Sequence, residues 1–269
     1  MKNKFLKISC LSLLLTLSSS TLLATNLVTQ EQCENKDSDE YIFAGGECIQ
    51  YYLAEGDEES EITLLVPGTW PEGTNTLGRY APFADNLSMA TDITTIAIAL
   101  PGYSDSSTNK FQALSHDEKT YLAGQKAYIR FLSDLVQELK NKFEATKVNY
   151  VGHSAGAMIG STLTGFTPGI IDTLTSVGGS YDIHKKVKNR DDLISLVDYI
   201  DKVDTKTEFL LIYGTADKIS EPIVTQDFYK ILNKKGFNAR LIEVKNAPHL
   251  DLDMTDTSVE AIVNMLEKE

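Results

Sequence analysis

A chain of 269 residues with 42% hydrophobic content carries enough apolar side chains for a large buried core, which excludes an intrinsically disordered chain. Its formal net charge of −13, with no basic patch to offset it, argues against nucleic acid or an anionic membrane as a partner. Past the N-terminus no apolar run is long enough to span a bilayer, and no internal repeat stands out.

Lys2, Lys4 and Lys7 precede the apolar run Leu11–Leu17, and Leu22-Leu23-Ala24 offers a small residue for cleavage. The pattern predicts a secretory signal peptide over residues 1–24 and an exported, periplasmic or secreted, protein. Ser18-Ser19-Ser20 cuts the run short for a retained anchor, so no stable membrane insertion is expected once it is removed. Cys10 stands before the apolar run instead of after it, which argues against a lipoprotein. Loss of three lysines and no acids leaves the remainder near −16.

Two cysteines then remain, Cys33 and Cys48, and an even pair in an exported chain predicts a disulfide. The pair alone supplies too few ligands for a metal site. Around Cys48, Tyr41–Ala44, the turn Gly45-Gly46 and Cys48–Leu53 predict a β-hairpin over residues 41–54.

Asp57–Glu61 reads as a solvated acidic turn, and Ile62–Val66 as a strand that runs into Pro67-Gly68-Thr69-Trp70-Pro71. Tyr80, Phe83, Ala84 and Leu87 recur at helical spacing. Ile93–Leu100 is a second continuous apolar strand, stopped by Pro101-Gly102-Tyr103-Ser104. Strands apolar on both faces suggest a parallel sheet buried between helices. A long amphipathic helix is expected over about Glu118–Glu144, with Tyr128, Leu132, Leu135, Leu139 and Phe143 as its core-facing stripe. Further strands are expected at Thr173–Val177, Glu208–Tyr213 and Ala239–Val244. Helices are expected at about Asp191–Ile200, at Pro222–Lys235 with Gly236 as its stop, and from about Ser258 onward. Alternation of strands and helices gives an α/β class with a mainly parallel sheet.

The most informative stretch is Val148-Asn149-Tyr150-Val151-Gly152-His153-Ser154-Ala155-Gly156-Ala157. An apolar strand leads into Gly-x-Ser-x-Gly, and a run of small residues then starts a helix. Such a turn lifts the Ser154 hydroxyl above the sheet, and Gly152 and Gly156 let two backbones approach. The helix start aims free N–H groups at the space beside the serine, where an acyl-transfer oxyanion would form. A serine hydroxyl needs a base to take its proton, commonly a histidine held by a carboxylate. His249 follows the last strand in a loop stiffened by Pro248, and is the base candidate. His116, His153 and His184 read as structural or solvent-exposed, with His153 pointing away from the hydroxyl. Asp217, ending Tyr213-Gly214-Thr215-Ala216-Asp217, is favoured as the acid. Asp182 after the preceding strand is the other candidate, and Asp251 and Asp253 are expected to face solvent.

Gly152-His153-Ser154-Ala155-Gly156, Gly214-Thr215-Ala216-Asp217 and Pro248-His249, in that order, resemble the α/β-hydrolase superfamily of serine esterases and lipases. The resemblance runs from about Glu61 to the C-terminus and implies an eight-stranded, mainly parallel sheet flanked by helices on both faces. Residues 25–269 would form one domain, the N-terminal hairpin included. It implies an oxyanion hole from the amides of Ala155 and Thr69, with Trp70 as the alternative to Thr69. Pro67-Gly68 stands where many members carry His-Gly. Trp70, Tyr103 and Tyr181 are expected to border the substrate pocket.

These residues lead to the expectation of a serine hydrolase that cleaves carboxylic esters through an acyl-enzyme, with no metal or organic cofactor. The only room for a lid, Ile183–Asp204, is short, which favours small or soluble esters over a lipid interface. A peptidase, an amidase or a lipase could use the same residues. A non-catalytic binding protein of the same fold is the rival from another class. The sequence leaves the oligomeric state open.

Overall fold

The computed structural model describes residues 27–116 and 121–267. The expected signal segment lies outside them. Eight strands form one sheet in the order β1-β2-β4-β3-β5-β6-β7-β8. β1 (Tyr41–Ala44) and β2 (Glu47–Ala54) form an antiparallel hairpin, and β2 also runs antiparallel to β4 (Ile93–Ile98). From β4 the sheet is parallel through β3 (Glu58–Val66), β5 (Lys147–His153), β6 (Thr173–Val177), β7 (Glu208–Gly214) and β8 (Ala239–Val244). Gly45 and Gly46 turn the hairpin with φ of 58° and 94°, the left-handed pair that a two-residue turn of this twist requires.

A short helix α1 (Gln30–Glu34) precedes the hairpin. Helices α2 (Thr76–Thr91) and α6 (Asp256–Leu266) pack on each other, as do α3 (Lys126–Lys142) and α4 (Ala155–Phe166), while α5 (Pro222–Lys235) lies over β7 and β8. Leu64, Ile96, Val148, Tyr150, Leu174, Leu211 and Ile212 are fully enclosed between the helical layers. Among the described residues no helix is long and apolar enough to cross a membrane.

Three expectations need correction. The acidic segment before Ile62 is not a turn: β3 continues back to Glu58, its exposed carboxylates lying beyond the core-facing part of the strand. The long helix begins at Lys126, with residues 121–125 outside it, and the expected start near Glu118 lies outside the described residues. Tyr121 sits in the left-handed region at φ 56° and Leu122–Gly124 is a 3₁₀ turn whose Gly124 carbonyl accepts the Ile194 N–H at 2.7 Å. No α-helix forms at Asp191–Ile200. Asp198 accepts the Ser195 N–H at 2.8 Å and the His184 Nε2–H at 3.0 Å, and these side-chain bonds favour the 3₁₀ turns Leu196–Asp198 and Ile200–Lys202.

Cys33 of α1 and Cys48 of β2 are disulfide-bonded. Next to Cys48, the buried Glu47 carboxylate accepts the Ser107 hydroxyl and the backbone N–H groups of Asn109 at 2.8 Å and Phe111 at 2.9 Å. The hairpin is thereby fastened both to α1 and to the loop that follows β4. The disulfide closes a loop of 15 residues, and its loss should lower stability by about 3 kcal/mol. Denaturant titrations with and without reductant measure that loss, and peptide mass spectrometry showing two free thiols in protein isolated without reductant would contradict the bond.

Candidate active site

Ser154 leaves β5 at φ 53° and ψ −114°, a left-handed conformation that costs any residue with a Cβ about 1–3 kcal/mol. Two glycines make the turn possible, each against a different neighbour. A Cβ on Gly152 would lie 2.7 Å from the Gly156 backbone, so Gly152 lets the helix fold back over its own strand. A Cβ on Gly156 would lie 2.2 Å from the Val66 carbonyl oxygen, so Gly156 admits the end of β3. Gly68 in the loop after β3 is equally constrained, because a Cβ there would lie 2.7 Å from Ser154 Cβ. The loop therefore lies directly against the serine.

The Ser154 hydroxyl donates to His249 Nε2 at 2.8 Å, and His249 Nδ1–H donates to Asp217 Oδ2 at 2.7 Å. The Asp217 side chain is fully enclosed. Its other oxygen accepts the N–H groups of Ile219 and Ser220, each at 2.8 Å, so the buried carboxylate is held at both ends. Gly178 at the end of β6 packs beneath the pair: a Cβ there would lie 3.3 Å from His249 Nδ1 and 3.4 Å from Asp217 Oδ2. Asp182 is elsewhere engaged, accepting the His184 N–H at 3.1 Å as the cap of the turn Ile183–Lys185.

Ala155 is the first residue of α4, so its N–H has no partner within the helix. In the facing loop the Trp70 N–H is taken, donating to the Tyr103 hydroxyl at 3.1 Å. Thr69 is exposed beside Gly68. The two expected pocket tyrosines are not pocket walls. Tyr103 is fully buried, its hydroxyl spent on Trp70. Tyr181 is buried in the core, stacked on Phe228 at 4.0 Å and sharing a hydrogen bond with the Ser176 hydroxyl at 2.9 Å. Trp70 is half-buried, with the Arg79 guanidinium 5.0 Å from its ring centre.

Sequence reasoning missed the support behind His249. His153 is buried, its ring 4.9 Å from that of His249, and its Nε2–H donates to the His249 carbonyl at 2.9 Å. Asp253, expected in solvent, is buried and accepts the Tyr80 hydroxyl at 2.9 Å. Arg79 pairs with Asp251 while it covers Trp70. Adjacent residues of α2 thus grip the loop that carries His249, and one of them also grips the loop after β3. The buried hydroxyl of Tyr80 was the one available signal, since a tyrosine that packs in a core needs a polar partner.

Burial holds the His153 imidazole below its ordinary pKa, outweighing the opposing pull of Asp253, so it stays neutral with a bare Nδ1. The unfolded chain takes up a proton at about pH 6.5 and the folded one only at lower pH, so His153 destabilises the fold as pH falls through that range. His153→Gln keeps a donor without a titrating group. Its melting temperature relative to the parent should rise between pH 8 and pH 5; a difference independent of pH would show that His153 is not held neutral.

The chain belongs to the alpha/beta hydrolase fold family, whose sequence model matches residues 63–207, more than half of its length. Among solved structures it is similar to Est1E from Butyrivibrio proteoclasticus, determined with ferulic acid bound. The identity is 16%, with 84% of this chain and 96% of that one covered at a TM-score of 0.62. The Pyrococcus furiosus esterase Pf2001 shares 14% identity over 89% of this chain and 95% of its own, at a TM-score of 0.65. A predicted CIB-like hydrolase from Thermoplasma acidophilum shares 16% identity over 85% of this chain and 96% of its own, at 0.61. At such identities the likeness is one of fold. No curated protein sequence matches the chain.

Proposed function

We propose that the protein is an exported serine hydrolase that cleaves carboxylic esters through an acyl-enzyme. The observation that carries this reading is the unbroken line from the Ser154 hydroxyl through His249 to the buried Asp217 carboxylate. Ser154 attacks the ester carbonyl as His249 Nε2 takes its proton. The N–H groups of Ala155 and Thr69 receive the oxyanion; the engagement of the Trp70 N–H with Tyr103 favours Thr69. His249 then returns the proton to the leaving alcohol, and water reverses the sequence to release the acid. Asp217 fixes the imidazole tautomer and stabilises its charged form.

The Cys33–Cys48 bond supports export, since disulfides persist in oxidising compartments. The segment 183–204 is folded into short turns and carries no long lid, which favours esters free in solution over a lipid interface. The test is labelling with a fluorophosphonate, followed by turnover of acyl esters and aminoacyl amides. Covalent label on Ser154 and preference for esters support the reading. Amide preference would shift it to a peptidase, and folded protein that takes no label would favour a binding role.

A further inference from the structure

A cavity of about 360 Å³ is lined by Thr69, Leu114, Leu122, Gly124, Met158 and Ile183 among others. The backbone brings two of these near Ser154. Thr69 follows Gly68, which abuts the serine side chain, and the Met158 N–H donates to the Ser154 carbonyl at 3.0 Å. No residue of the Asp217 loop or the His249 loop lines the cavity. That asymmetry assigns its occupant. The leaving oxygen must face His249 Nε2 to receive its proton, and the carbonyl oxygen must face the amides of Ala155 and Thr69. The remaining substituent on the reacting carbon, the acyl chain, points toward the cavity. Among the described residues no charged side chain lines it, so none of them offers a partner to an ionised acyl group.

We infer, resting on the serine-hydrolase reading above, that the site takes esters of uncharged apolar acyl groups of roughly eight to twelve carbons, and that Gly124 sets the depth of the acyl cavity. An apolar cavity of about 150 Å³ takes one benzene ring of six carbons. At that density about 360 Å³ would hold roughly fourteen, and the open mouth leaves part of the space to water. Gly124 matters because a Cβ there would lie 2.5 Å from Ile183 Cδ1 and 3.4 Å from Met158 Cε. Ile183 packs into the place of its missing side chain, so a larger residue there must displace Ile183, itself a wall of the cavity. Gly124 does not require a positive φ, so a larger residue meets side chains before it meets backbone strain.

The experiment is kcat/KM for p-nitrophenyl esters from acetate to dodecanoate, kept below their aggregation limit, with the hydrogen succinate as the charged comparison. In the parent protein kcat/KM should rise by up to about fourfold per added methylene between butyrate and octanoate, with the succinate far below its apolar counterpart. Gly124→Leu should move the optimum to butyrate or shorter. Met158→Trp narrows the same cavity from α4 and serves if Gly124→Leu folds poorly. An optimum at acetate, or a profile that neither variant moves, overturns the inference while Ser154 still labels with fluorophosphonate. A Ser154 that neither labels nor turns over any ester overturns the serine-hydrolase reading, and this inference with it.

Discussion

Ser154→Ala is expected to lower kcat by about 10⁴- to 10⁶-fold while the protein still folds. Alanine carries the same Cβ as serine, so it meets the close approach of Gly68 and the left-handed turn no worse than the native residue. What disappears is the oxygen 2.8 Å from His249 Nε2. His249→Ala should cost a similar amount, and the double variant little more, because nucleophile and base act as a unit. The measurement is turnover of a soluble aryl ester beside a thermal melt for each variant. Retained turnover in well-folded Ser154→Ala would sink the mechanism. Additive losses in the double variant would show that the two residues do not work together.

Asp217→Asn is expected to lower kcat by about 10⁴-fold, and the surroundings of the carboxylate give the reason. One of its oxygens accepts two backbone N–H groups, from Ile219 and Ser220. An asparagine must keep its carbonyl oxygen there, since its amide nitrogen cannot accept from them. Its NH₂ group then faces His249 Nδ1 and turns that nitrogen into an acceptor. The imidazole proton moves to Nε2, which can no longer take the Ser154 proton. Asp182→Asn should be mild, because Asp182 caps a turn in the segment after β6. The paired kcat values decide between them: a severe loss at Asp182 with a mild one at Asp217 would place the acid after β6.

The parts of the fold legible in the sequence are those that short-range pattern controls. Thr173–Val177 and Ala239–Val244 end as strands where composition changes, and α5 runs from Pro222 to the glycine at 236, which adopts φ 82°. Ser154, Asp217 and His249 stand out as candidates because each follows a strand within a few residues of a glycine or proline. The supporting contacts do not. Tyr80 and Asp253 lie 173 positions apart, and nothing local marks them as partners. His153 was set aside because its side chain must leave the serine; the sequence does not say that it leaves toward the carbonyl of the base. The resemblance to the family implies Tyr103 and Tyr181 at the pocket, but burial depth depends on what packs over a loop. The turns of 191–202 escaped helix patterning because side chains there compete for the backbone.

The order of the strands has a consequence in time. From β5 onward, neighbours in the sheet are also neighbours in the chain, and the proposed triad is set down after β5, β7 and β8. Ser154 precedes its base by 95 residues, roughly 5–20 s of synthesis. Throughout that interval the serine is an ordinary alcohol. On the proposed mechanism, competence would arrive only when the sheet's last edge has docked, so a chain cut short before β8 would hold most of the core and none of the proposed reactivity.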